Sequence, residues 1–135
     1  DPRHVRQIVL CSGKVYYDLL ETRRARGIGD VAILRIEQLY PFPGDLLLEQ
    51  LQRYKSAKTI IWCQEEPQNQ GAWDQTKHRL MARLGPRQQL YYAGRPSAAA
   101  PAVGYHHMHL QQQETLVDEA LTGQINPSTN RRATP

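Results

Sequence analysis

Lys58-Thr59-Ile60-Ile61-Trp62-Cys63-Gln64-Glu65-Glu66-Pro67-Gln68-Asn69-Gln70-Gly71-Ala72-Trp73 is the stretch whose reading decides the fold. Lys58–Cys63 is an apolar run with β-branched residues and has the length of a buried strand. Two carboxylates, a proline, amides and a glycine follow. Trp73 then opens a helical pattern, with Leu80 and Leu84 on the same apolar side. Strand, polar loop and helix start succeed one another at once. A loop at the carboxyl end of a buried strand is where open α/β sheets place function.

The same order recurs on both sides of this stretch. Upstream, residues 7–11 (QIVLC) form a strand, and Ser12-Gly13-Lys14 a turn. The next helix has Val15, Tyr16, Leu19 and Leu20 on one face. Ser12 is expected to cap it. Arg23, Arg24 and Arg26 suit the negative end of its dipole, and Gly27 and Gly29 end it. Residues 31–36 are a second strand, and Pro41 and Pro43 hold the next loop extended. A helix over 44–54 turns Leu47, Leu48, Leu51 and Tyr54 inward.

Downstream, Gly85-Pro86 stops the helix that Trp73 opened. Residues 89–92 form a fourth strand, and Ala93-Gly94-Arg95-Pro96 turns out of it. A last helix runs from Leu110 to Leu121, with Leu110, Leu116, Val117, Ala120 and Leu121 apolar. Residues 1–6 read as a lead-in, 7–123 as one domain, and 124–135 as a polar, disordered tail. The first residue is not methionine, so the chain reads as a piece of something longer. Strand-helix alternation at this spacing predicts an α/β fold: a mostly parallel sheet with helices on both faces.

Composition fits this picture. A chain of 135 residues with 40% hydrophobic and 22% charged residues can close one core. It holds neither an apolar run of membrane-spanning length nor a signal peptide, so no membrane partner is expected. The net charge of +4 is spread out, apart from Arg23-Arg24 with Arg26 and Arg131-Arg132. Without aromatic residues interleaved among the basic ones, no nucleic-acid partner is expected. Cys11 and Cys63 each end a strand-like run. They read as buried free thiols rather than a disulfide, which fits a reducing, cytosolic type of compartment.

Several clusters carry candidate chemistry. Ser12, Gly13 and Lys14 at a helix start, with Arg23, could hold an effector phosphate, although the turn lacks the first glycine of a P-loop. The bland alternative is a capped helix with a solvated lysine. Glu65 and Glu66 could form an acid/base pair. Adjacent residues of a strand point opposite ways, however, so only one can face a given site. Gly71 permits positive φ or close backbone approach, and Asn69 and Gln70 offer donors and acceptors. Trp73 suits either the core or the centre of an interface. Arg95 could clamp a carboxylate or join a surface ion pair. His106, His107 and His109 match no zinc spacing and read as solvated or interfacial.

The strings LCSGKVYYDLLE (10–21), VAILRIEQLYPFP (31–43), WCQEEPQNQGAW (62–73) and YYAGRPSAAAPAVGYHHMH (91–109) carry a family resemblance. Together, in order and at matching spacing over roughly residues 6–121, they resemble the C-terminal region of the first, decarboxylating component of the 2-oxoglutarate dehydrogenase complex. More distantly, the Glu65-Glu66…Gly71 loop resembles the C-terminal domains of related dehydrogenase β-subunits and of transketolase. The resemblance implies a three-layer domain of about five mostly parallel strands, with the fifth near Ala102 or in the tail. It implies an enzyme that uses thiamine diphosphate and magnesium to decarboxylate 2-oxoglutarate in the tricarboxylic acid cycle and passes succinyl to the lipoyl-bearing second component. It further implies a homodimer, in a bacterial cytoplasm or a mitochondrial matrix.

The family's GDG…N cofactor motif and catalytic histidines lie upstream of the matching region. No catalytic, cofactor or metal residue is therefore carried over, and no cofactor is expected on this chain alone. Glu65, Glu66, Asn69, Gln70, Gly71, Trp73 and Arg95 are expected to wall a neighbouring site or meet another domain or subunit. The competing expectation is a regulatory module that takes acetyl-CoA or an adenine nucleotide at Ser12, Gly13, Lys14 and Arg23.

Overall fold

Four strands line up in the order β2-β1-β3-β4, every neighbouring pair parallel. The computed structural model describes residues 1–37, 42–97 and 106–130, the first four residues of the last helix as backbone only. The strands are β1 (Gln7–Cys11), β2 (Val31–Arg35), β3 (Thr59–Pro67) and β4 (Gln89–Arg95). The helices are α1 (Val15–Arg26), α2 (Gly44–Arg53), α3 (Trp73–Met81) and α4 (His106–Thr122).

Alternation along the strands builds the two faces. Ile8, Leu10, Ile60, Trp62 and Tyr92 pack with Leu47, Leu51 and Leu80 from α2 and α3. Val9, Cys11, Ile61, Cys63 and Ala93 pack with Val15 and Leu19 of α1 and with Leu116, Val117, Ala120 and Leu121 of α4. Both faces are covered, which is why the strands read as continuous apolar runs. Each fully buried large side chain contributes about 1.5–3 kcal/mol of apolar transfer energy. Helix α1 carries the chain from β1 outward to β2, and α2 returns it across the opposite face to β3. The loops after β1 and β3 thus leave in opposite directions, which makes the crevice between them the topological switch point.

Several boundaries differ from expectation. β3 does not stop at Cys63 but runs to Pro67, with an irregularity in its pairing to β4 between Gln64 and Pro67. β4 runs on to Arg95. Both extend because buried polar side chains find partners there. α3 ends at Met81 rather than Leu84; tighter turns follow, with Arg83 N–H donating to Leu80 O at 3.1 Å and Leu84 N–H to Met81 O at 3.3 Å. α1 has no side-chain cap, so Ser12 does not play that role; Gly27 ends the helix at φ 65° as expected. Leu110 is half exposed.

The described residues form four strands, not five. Ala102 and residues 131–135 lie outside them, as does most of the loop around Pro41. Neither end behaves as a bare extension. Val5 is buried, and Arg6 Nε meets Asp30 Oδ2 at 2.6 Å. Residues 124–130 are not disordered: Pro127–Thr129 form a 3-10 turn, and Thr129 is buried. Cys11 and Cys63 are free, buried and in register with each other across β1 and β3.

Candidate functional site

Gln64 organises the loop after β3. Its position follows from alternation: two residues after Trp62, it points to the same face of the sheet, where a side chain is buried. Gln64 is 2% exposed. Its Oε1 accepts from Trp62 Nε1 at 2.9 Å and from the Trp73 backbone N–H at 3.1 Å. Its Nε2 donates toward three loop carbonyls, Glu66 at 3.1 Å, Pro67 at 2.9 Å and Gln70 at 2.8 Å. One amide side chain therefore ties the end of β3, the loop and the first residue of α3 together. A carboxylate could not do this, because the site needs donors and acceptors on one flat group.

Glu65 and Glu66 diverge, as strand geometry requires. Glu65 Oε1 accepts from Gln113 Nε2 of α4 at 2.8 Å, and Gln113 Nε2 also donates to Asp18 of α1 at 2.8 Å. Glu66 is exposed and leans on the loop: a Cβ at Gly71 would lie 3.0 Å from its Oε2. Gly71 has φ 68°, the left-handed conformation that glycine adopts without strain. The two carboxylates are not an acid/base pair.

Arg95 is no surface residue: it is 7% exposed. Its Nη1 donates to the Glu65 carbonyl, its Nε to Gln112 Oε1 at 3.0 Å and its Nη2 to Gln113 Oε1 at 3.1 Å. The guanidinium thus joins β3, β4 and α4. Tyr92, fully buried, donates its hydroxyl to Arg95 O at 2.6 Å. Burial raises its phenol pKa, keeping it a neutral donor. Trp73 is half-buried, packs against the apolar cluster under α3, and has its ring 5.3 Å from that of Tyr92. Asn69 is exposed and Gln70 half-buried; the Gln70 N–H donates to Pro67 O at 2.8 Å.

The second cluster does not assemble. Ser12, Gly13 and Lys14 sit at the start of α1, and Arg23 lies in its last turn, about 13 Å further along the axis. Arg23 Nη1 instead donates to Val31 O at 3.0 Å. Arg35, at the end of β2, stacks over Tyr16 and Tyr17 at 5.5 and 5.3 Å. The side chains of His106, His107 and His109 lie outside the described residues. Among the described residues, no three of His, Cys, Asp and Glu gather as a metal would require.

The two cysteine thiols are both buried. Burial pushes the Cys11 thiol up to about 12 and the Cys63 thiol well above its ordinary range, so neither forms a thiolate near neutrality. The arrangement is a braced polar ledge. Sequence reasoning missed Gln64, Tyr92 and Gln113. The available signal for Gln64 was its phase: a polar residue on the inward side of a strand.

A family model described as 2-oxoglutarate dehydrogenase C-terminal matches residues 1–121. The chain is 53% identical over 122 residues to the 2-oxoglutarate dehydrogenase E1 component of Haemophilus influenzae, covering 90% of this chain and 13% of that protein. It is 52% identical over 125 residues to the Azotobacter vinelandii E1 component, again 90% and 13%. The Cupriavidus necator E1 component is 50% identical over 117 residues, covering 87% of this chain and 12% of that protein. The chain thus spans about an eighth of the length of these relatives. Among solved structures, a chain titled "Split gene transketolase, inactive beta4 tetramer" superposes with a TM-score of 0.59 at 15% identity, covering 93% of this chain and 40% of that one. That likeness concerns the fold.

Proposed function

Because the chain belongs to the 2-oxoglutarate dehydrogenase C-terminal family, we propose that it serves as the carboxyl-terminal domain of a thiamine diphosphate-dependent 2-oxoglutarate dehydrogenase first component. Its work there is architectural. It supports the homodimer and walls a cofactor site built by domains that precede it, in an enzyme that decarboxylates 2-oxoglutarate and hands succinyl to the lipoyl-bearing second component. The bacterial relatives favour a cytoplasmic setting.

The observation that carries this reading is the Gln64 ledge. Five hydrogen bonds to one buried amide hold a loop rigid at the carboxyl edge of the sheet. A rigid edge is what a neighbouring domain needs to rest on. This chain's own described residues do not fit magnesium or a diphosphate: Glu65 is tied to Gln113, Arg95 is turned into the fold, and Lys14 and Arg23 are separated. This reading leaves the cofactor and its metal to the other domains.

Two measurements test this. Calorimetric titration of the 135-residue chain with thiamine diphosphate and magnesium is expected to give no heat of binding; micromolar affinity would overturn the architectural reading. In the full-length enzyme, Trp73→Ala is expected to weaken the dimer on size-exclusion chromatography more than it lowers the activity of whatever dimer remains. A variant that stays fully dimeric yet inactive would place Trp73 in the chemistry instead.

A further inference from the structure

Among the described residues, strand β4 is an edge of the sheet, with β3 as its one strand neighbour. Edge strands present unpaired backbone groups to any other chain and are usually blunted by charge, proline or a covering segment. β4 reads Gln89-Leu90-Tyr91-Tyr92-Ala93-Gly94-Arg95, with no charge before its last residue and four apolar or aromatic side chains in a row. Nothing in that string blunts the edge.

The covering comes from the tail. Asn130 lays its side-chain amide along the outer edge of β4 as a neighbouring strand would lay its backbone. Tyr92 N–H donates to Asn130 Oδ1 at 2.6 Å, and Asn130 Nδ2 donates to Tyr92 O at 2.8 Å. The clip is held from behind. Asn130 Nδ2 also reaches Asn126 O at 2.9 Å, and Asn126 Oδ1 caps Ser128 N–H at 2.9 Å. Thr129 is buried, and Gln68 of the β3–α3 loop donates to its carbonyl at 2.7 Å. These residues lie beyond the family match, which ends at residue 121.

From this we infer that residues 126–130 are an edge guard, and that the surface they cover fits the β4 strand of a second copy of this chain. The same Tyr92 N–H and C=O cannot serve Asn130 and a partner strand together, so the two states exclude each other. By alternation Leu90 and Gly94 turn their backbone groups the same way as Tyr92, giving a ladder of three residues. Antiparallel β4–β4 pairing about a two-fold axis would use identical segments on both sides and close without leaving a further edge. An uncharged, tyrosine-rich strand suits such self-pairing.

The test uses the 135-residue chain, a chain ending at Gly123, and Asn130→Ala, each checked for native circular dichroism. Light scattering across a concentration series is expected to show the shortened chain and Asn130→Ala doubling in mass relative to the intact chain. At dilution, amide exchange at Tyr92 should be about tenfold faster than in the intact chain. Adding Leu90→Pro to the shortened chain, where the lost N–H faces the edge, should restore the original mass. An unchanged mass in both variants would overturn the inference. So would a doubling that Leu90→Pro does not reverse, since association would then use another surface. Should the shortened chain fail to fold, the mass of Asn130→Ala, with and without Leu90→Pro, decides by the same criteria.

Discussion

Two loops leave the carboxyl edge of the sheet at the switch point, one after β1 and one after β3, and they are held in different ways. The first, Ser12-Gly13-Lys14, is a bare turn: no side chain caps α1, and Gly13 supplies the turn at φ 83°. The second, from Gln68 to Ala72, is longer, and it and the irregular strand end before it are fastened by the buried Gln64 amide, the Arg95 guanidinium and the Tyr92 hydroxyl. A short loop needs only backbone geometry. A longer one carries more conformational entropy and more orphan carbonyls, and stays ordered only when buried polar groups satisfy them. β1 ends at the buried Cys11, whereas β3 runs four residues past its register-matched, equally buried Cys63 before its loop begins.

The largest expected effect comes from cutting that fastening. Gln64→Ala orphans Trp62 Nε1, the Trp73 N–H and three carbonyls, and should lower unfolding free energy by about 3–5 kcal/mol in urea titrations. Lys14→Ala in the bare turn should stay within about 0.5 kcal/mol of the parent. Equal losses would erase the contrast between the loops. Gln64→Glu sharpens it: the acceptor for Trp62 and Trp73 survives, but a carboxylate faces three carbonyls, so most of the loss should remain.

Gly94→Ala comes next. A Cβ there would sit 2.6 Å from Tyr92 Oη and 2.8 Å from Gln64 O, at the point where the two fastenings meet. Overpacking of this kind costs about 1–3 kcal/mol, and thermal unfolding should show it. A parent-like melting temperature would mean that the junction has slack.

The smallest effect concerns what the loops share. In the unfolded chain a thiol ionises near about 8.5, whereas burial holds the Cys11 thiol up to about 12 and raises that of Cys63 as well. Both folded values are raised, so the stability they contribute is intact below about pH 8.5 and is lost as pH climbs toward the folded value. Each thiol should add about 1.4 kcal/mol of loss per pH unit in that window. Cys11→Ala should flatten the alkaline slope by one thiol's share, and Cys63→Ala by a similar share. A slope unchanged by either variant would show that water reaches these strands.

Much of the fold was legible. Apolar strands, Gly27 after α1 and the alternation of elements follow from periodicity and turn chemistry, and they hold. What escaped was polar burial. Gln64 and Arg95 look like loop residues because their types usually face water, yet each lies on a strand that continues past its apolar run. Strand ends are read from where apolar residues stop, and here hydrogen bonds, not hydrophobic contacts, carry the pairing further. The effector cluster failed for the opposite reason: Ser12, Lys14 and Arg23 are close in sequence, but a helix lies between them. The order in residues 124–130 was not legible because composition cannot show that one asparagine finds a strand edge 38 residues upstream.

That separation has a consequence in time. The edge of β4 is complete once Arg95 is made, but Asn130 is synthesised 35 residues later. At about 5–20 residues per second, the guard is made about 2–7 s after the strand it covers. Neighbouring chains on one messenger are closest during that interval, so pace of translation and crowding on the polysome, rather than the equilibrium stability of the finished fold, set how often β4 meets the wrong strand.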